Sequence, residues 1–136
     1  MSKILFPRMN VLQSLYELTA DITPNRFITT RPPATGEQME EFLLIRLPQT
    51  IYDRGDTYQS TWGQIAIFVR DIQGGLENTF TLEKIQSDVM ELFPIVTDQY
   101  HAKLPRLLPG GTDGAGFHSL IIQFQITIFK QPLKPY

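Results

Sequence analysis

The clearest signal is an alternation near the C-terminal end. In "HSLIIQFQITIF", His118 to Phe129, the residues Leu120, Ile122, Phe124, Ile126 and Ile128 fall on one side of an extended chain. Gln123, Gln125 and Thr127 fall on the other. Successive side chains of a strand point to opposite faces, so this segment reads as a strand with one apolar and one polar face. Thr61 to Asp71 repeats the pattern. Ile65, Ile67 and Val69 share one face, and Gln64 and Arg70 lie on the other with Trp62, Ala66 and Phe68. "FLLIRL", Phe42 to Leu47, is a more apolar strand closed by Pro48, which cannot donate a ladder hydrogen bond. "FITTR", Phe27 to Arg31, is short and β-branched, and Tyr100 to Leu107 carries Pro105, which places it near an edge. Two segments switch to the helical period. Met9 to Ala20 spaces Val11, Leu12, Leu15 and Leu18 helically, with Pro7 near its start and Pro24 beyond its end. Thr81 caps a second helix to about Phe93, with Leu82, Ile85, Val89, Leu92 and Phe93 as its apolar stripe and Pro94 as its stop.

The predicted order is α-β-β-β-α-β-β. Strands with one apolar face need a cover, and the two amphipathic helices supply it. The expected fold is α+β: a two-layer sandwich of a mostly antiparallel sheet of four to five strands covered by two helices. Residues 1–136 read as a single domain, ordered over about 9–130, with 131–136 as a proline-containing tail. The predicted core includes Ile122, Phe124, Ile126 and Ile128 facing Ile65, Ile67 and Val69.

Composition narrows the function. An apolar fraction of 42% and a charged fraction of 19% describe a globular chain. A net charge of −2 gives no basic footprint for a phosphate backbone, so no specific nucleic-acid binding is expected. The chain has no cysteine, which excludes a disulfide scaffold, a zinc–thiolate site and a cysteine nucleophile. The start "MSKILFPRMN" lacks a secretory apolar stretch, and no run approaches the ~18 apolar residues of a membrane helix. The expectation is a soluble protein made in a cytoplasm.

Candidate chemistry is sparse. "LPGGTDGAGF", Leu108 to Phe117, is glycine-rich enough to suggest a phosphate cradle. Gly111 and Gly116 have the Walker A spacing, but Phe117 and His118 stand where Lys and Ser/Thr are required. Gly114 and Gly116 begin a dinucleotide fingerprint, but Ser119 replaces its third glycine. The segment also enters a strand rather than a helix, so it reads as a long, flexible connection and a contact arm. Arg54-Gly55-Asp56 reads as a turn. His101 and His118 have no partner at metal-ligand spacing and no nucleophile elbow. Glu37, Glu40 and Glu41 read as a solvated acidic face. No catalytic, cofactor or metal site is expected. Tyr58, Trp62, Phe68 and Phe129 are aromatics on nominally polar strand faces, and with Gly111, Gly114 and Gly116 they are the interface candidates. Cover by the N-terminal helix is the alternative for these aromatics.

An N-terminal helix, the strand "EEFLLIRLP", the long strand "STWGQIAIFVRD", the helix "TLEKIQSDVMELF" and the loop-then-strand "GFHSLIIQFQITIF" follow one another in an order that resembles the tail terminator, or tail-completion, proteins of long-tailed bacteriophages and prophages. The resemblance runs from about Val11 to Lys130 and is one of architecture. It implies a non-enzymatic virion-assembly protein, a head–tail joining subunit that forms a homo-oligomeric, hexameric ring. Such a ring caps the tail tube and docks head-completion proteins. It implies assembly in the bacterial cytoplasm and a final place in the virion tail, with no cofactor and no membrane. The "LLPGGTDGAG" connection and the proline-rich tail depart from that family. The alternatives are a small ligand-binding or enzymatic α+β domain with a site near residues 110–118, and an adaptor that forms no ring.

Overall fold

The two alternating segments become partners. The computed structural model describes residues 8–31, 39–47, 52–53 and 58–129. The turn at Arg54-Gly55-Asp56, Pro7, Glu37, Pro48 and the 131–136 tail lie outside the described residues. Strand β4 (Tyr58–Arg70) and strand β7 (Phe117–Phe129) pair antiparallel along their whole length, from Tyr58 opposite Phe129 to Arg70 opposite Phe117. Their shared register puts Ile65 beside Ile122 and Ile67 beside Leu120, so both apolar rows face the same way.

The rest of the sheet grows outward from this pair. Strand β2 (Glu41–Arg46) lies antiparallel against β4, and β1 (Arg26–Ile28) lies parallel against β2. On the same edge of β4, the short β3 (Tyr52–Asp53) pairs with Ser60 and Gln59. Beyond β7 comes β6 (Tyr100–Thr112), and β5 (Ile95–Val96) pairs with the start of β6. The order is β1-β2-β4-β7-β6-β5, with β3 beside β4. The sheet is mixed and curls into half of a barrel. Two register shifts in β6, at Lys103/Arg106 and Pro109/Gly111, supply the local bends expected of bulges.

Helices α1 (Arg8–Leu18) and α2 (Thr79–Met90) cover one face. Val11, Leu12 and Leu15 of α1 and Leu82, Ile85 and Val89 of α2 enter one core with the inner rows of β2, β4 and β7. Ile65, Ile67, Val69, Ile122, Phe124, Ile126 and Ile128 are all buried there, as their alternation requires. Gly63 is part of this packing. A Cβ there would lie 2.6 Å from Phe124 Cε2, so the missing side chain admits the ring.

The α+β class is as the sequence implies; the count and order of strands are not. The observed order is α-β-β-β-β-α-β-β-β. The two-residue β3 and β5 are too short to show a period. The cap of α2 is also moved. Asn78, not Thr81, accepts the amide of the first turn, from Thr81 N at 3.3 Å, and the helix ends at Met90 rather than Phe93. Leu18 is 42% exposed because α1 ends there, and the buried side chain that follows is Thr19, bonded back to the carbonyl of Leu15 at 2.9 Å.

Candidate functional site

The opposite face of the sheet divides into two regions. Near the C-terminal end of β4, Phe42, Leu44, Ala66, Phe68 and Phe117 form a second buried cluster, flanked by Phe27, Met39 and Ile121. Phe42 and Phe68 stack with centroids 4.6 Å apart. The Arg31 guanidinium lies 4.8 Å from the Phe68 ring centre, and that of Arg70 lies 4.8 Å from the Phe117 ring centre. Phe68 is therefore a packed side chain, 9% exposed, and not the open aromatic that its position on a polar face implied. The N-terminal helix does not cover it, since α1 packs on the other face.

The other end of this face stays open. Cross-strand register lines its side chains up in rows. Tyr58 faces Phe129; Ser60, Thr127 and His101 share a row; Trp62, Gln125 and Lys103 share the next. Gln64 then stands between Arg46 and Gln123, and Gln123 faces Arg106. The last row is hydrogen-bonded: Arg46 Nε donates to Gln64 Oε1 at 2.9 Å, and Arg106 Nε donates to Gln123 Oε1 at 2.7 Å. Arg106 also lies 5.3 Å from the Trp62 ring centre, and the His101 ring meets Phe129 edge-on at 4.8 Å. Tyr58, Ser60, Lys103, Gln125, Thr127 and Phe129 line a shallow, open depression of about 490 Å³. Three fixed cations, Arg46, Lys103 and Arg106, stand on these rows, and none of the rows' side chains is a carboxylate. In a chain of net charge −2, that is a local concentration of positive charge with aromatic walls.

The glycine segment lies at the far end. The "long connection" is mostly strand: β6 runs to Thr112 and β7 begins at Phe117, so only residues 113–116 turn. Asp113 organises this turn. Its Oδ1 accepts from Ala115 N at 2.7 Å and Phe117 N at 3.0 Å, its own amide donates to the Phe117 carbonyl at 3.0 Å, and its other carboxylate oxygen pairs with Arg31. Burial opposes ionisation of Asp113. The two amides and Arg31 outweigh it and hold the carboxyl below the usual carboxylate range. Two of the amides that would face a phosphate here, those of Ala115 and Phe117, are thus already bonded to the chain's own carboxylate. Gly111, Gly114 and Gly116 take positive φ values, 67°, 74° and 97°, which explains the glycines by backbone conformation.

The interface candidates therefore do not form one site. Tyr58, Trp62 and Phe129 share the open face, Phe68 is packed beside it, and the glycines belong to the hairpin tip. The histidines also separate. His101 lies in the open rows. His118 Nδ1 is 2.5 Å from Asp71 Oδ1, a half-buried link between the start of β7 and the chain just after β4. Ser119, the next residue, points to the opposite face, so the Asp71–His118 pair does not extend to that hydroxyl. Among the described residues no group of three His, Cys, Asp or Glu side chains is placed to hold a metal ion. No helix among them is long and apolar enough to cross a membrane.

The sequence reading missed the cations of the open face and one further aromatic. Phe80 is 80% exposed in the first turn of α2. Its signal was present: it falls opposite the stripe of Leu82, Ile85 and Val89. Comparison with known protein families and with curated proteins gives no match.

Proposed function

We propose that this protein is a structural assembly subunit that joins copies of itself into a ring, of the kind that terminates a phage or prophage tail and receives the head. The observation that carries the reading is the open face of β4, β7 and β6. It is a register-locked surface of aromatic, amide and cationic side chains. Such a surface has the composition of a protein interface, with aromatic and arginine side chains enriched and lysine sparse. A ring requires a heterologous contact, one patch meeting a different patch on the next copy. The ligand-binding alternative has less to stand on, because two amides of its loop, those of Ala115 and Phe117, serve Asp113.

Native mass spectrometry of the purified chain tests the ring. The expected species has about six times the 15.6 kDa chain mass. A chain that stays monomeric at its highest soluble concentration, with and without tail-tube protein, is not a ring subunit. A discrete complex with a tail-tube protein that contains one copy of the chain would favour the adaptor instead.

A further inference from the structure

The open face carries cations and aromatics, and the helix layer carries features that complement it. Along the outward side of α2, Phe80, Glu83, Ser87 and Glu91 follow at helical spacing and are all exposed. Glu77 lies just before the helix and is also exposed. The one lysine of the helix, Lys84, is offset by Asp88 at 3.6 Å. The ridge is thus acidic and bears an aromatic side chain that the chain itself does not cover. An exposed Phe on an otherwise amphipathic helix costs apolar hydration unless something else buries it.

Building on the ring reading, we propose that copies of this chain meet head to tail. The α2 ridge of one copy seats on the β4–β7–β6 face of the next, and Phe80 enters the depression between Tyr58 and Phe129. Three observations converge on this occupant. The depression, at about 490 Å³, is ample for a benzyl group and has aromatic walls. Its surround carries Lys103 and Arg106 and no carboxylate on its rows, whereas the ridge carries Glu77, Glu83 and Glu91. The two patches also lie on opposite layers, α2 against the inner face and the depression on the outer face. They cannot meet within one chain, so the contact joins two copies, and the head-to-tail arrangement proposed here propagates it from copy to copy. A desolvated aromatic anchor supplies most of the affinity, and the charged rim sets orientation and encounter rate.

Sedimentation velocity on the full chain at fixed salt tests the contact. Phe80→Ala is expected to weaken self-association about tenfold or more. Glu83→Lys and Lys103→Glu should each weaken it, and the Glu83→Lys/Lys103→Glu double variant should regain association that neither single variant has. All three positions are at the surface, so circular dichroism of the monomer should not change. Two results separate this contact from the ring reading. A wild-type ring left intact by Phe80→Ala and by both charge variants overturns the contact and leaves the ring. A wild-type monomer under all conditions overturns both. A third result gives the face to another occupant: if a fluorescent oligothymidylate binds, and Lys103→Glu abolishes that binding while assembly is unchanged, the face serves single-stranded nucleic acid and the proposal falls.

Discussion

Phe124 stands on the apolar row of β7 and is fully buried. Truncation to Ala should cost about 3–5 kcal/mol, the usual range for a core phenylalanine, measured by urea denaturation. Its neighbour was not legible. Gly63 signals by lacking a side chain, and nothing in the alternation of "STWGQIAIFVRD" says that a ring will lie where its Cβ would be. With a Cβ 2.6 Å from Phe124 Cε2 and 2.8 Å from Ile126 Cδ1, Gly63→Ala overfills the site. The expected loss is ~1–3 kcal/mol. Phe124→Leu should recover part of it, because a smaller side chain gives back the space. Additive losses in that double-mutant cycle would show that the two positions do not compete for one volume. Phe68 errs in the other direction. Period two assigned it to the correct face, but only long-range packing by Phe42, Phe117 and Arg31 buries that end of the face.

At the level of elements, long runs were legible and irregular ones were not. β4 and β7 keep their alternation over 13 residues each, and both were visible within a few residues of their ends. β6 is as long, but its pattern is broken by Pro105, by Leu104 at φ 57° and by two register shifts. Alternation alone therefore carries the strand only to Leu107 and leaves its remainder as loop. The hairpin is closed by interactions no local window reveals, above all Arg31 with Asp113 across 82 positions. This closure has a pH signature. The Asp113 carboxyl is held below its ordinary value in the folded chain. In the unfolded chain it takes up its proton at about pH 3.9. Its contribution is therefore complete above that pH and is lost as pH falls through the lower folded value. Asp113→Asn should lower stability at neutral pH and make the fall below about pH 4 less steep than in the wild type. Thermal unfolding followed from pH 7 to pH 2 measures both slopes. Identical slopes would mean that the turn is closed by the backbone amides and carbonyls alone.

For the whole molecule, two exposed patches on opposite layers differ in charge as well as in secondary structure. The outward side of α2 is acidic, and the open face of β4, β7 and β6 is cationic and aromatic. Composition hid this, because a net charge of −2 says nothing about which layer holds which sign. A head-to-tail contact between unlike patches makes a demand that a symmetric dimer does not. A Phe80→Ala copy has a damaged ridge and an intact face, and a Lys103→Glu copy has an intact ridge and a damaged face. In an equimolar mixture only one sound contact is available: the ridge of the Lys103→Glu copy on the face of the Phe80→Ala copy. The pair so formed presents a damaged ridge at one end and a damaged face at the other, so growth stops. Mixing two poorly associating variants should therefore yield a 1:1 complex of about twice the 15.6 kDa chain mass, which native mass spectrometry resolves after one copy is isotopically labelled. Because the rim is charged, raising the salt from 0.1 M to 1 M shortens the screening length from about 10 Å to about 3 Å and should slow formation of this pair. An isologous interface would need each patch on both copies, and the mixture would then associate no better than either variant alone.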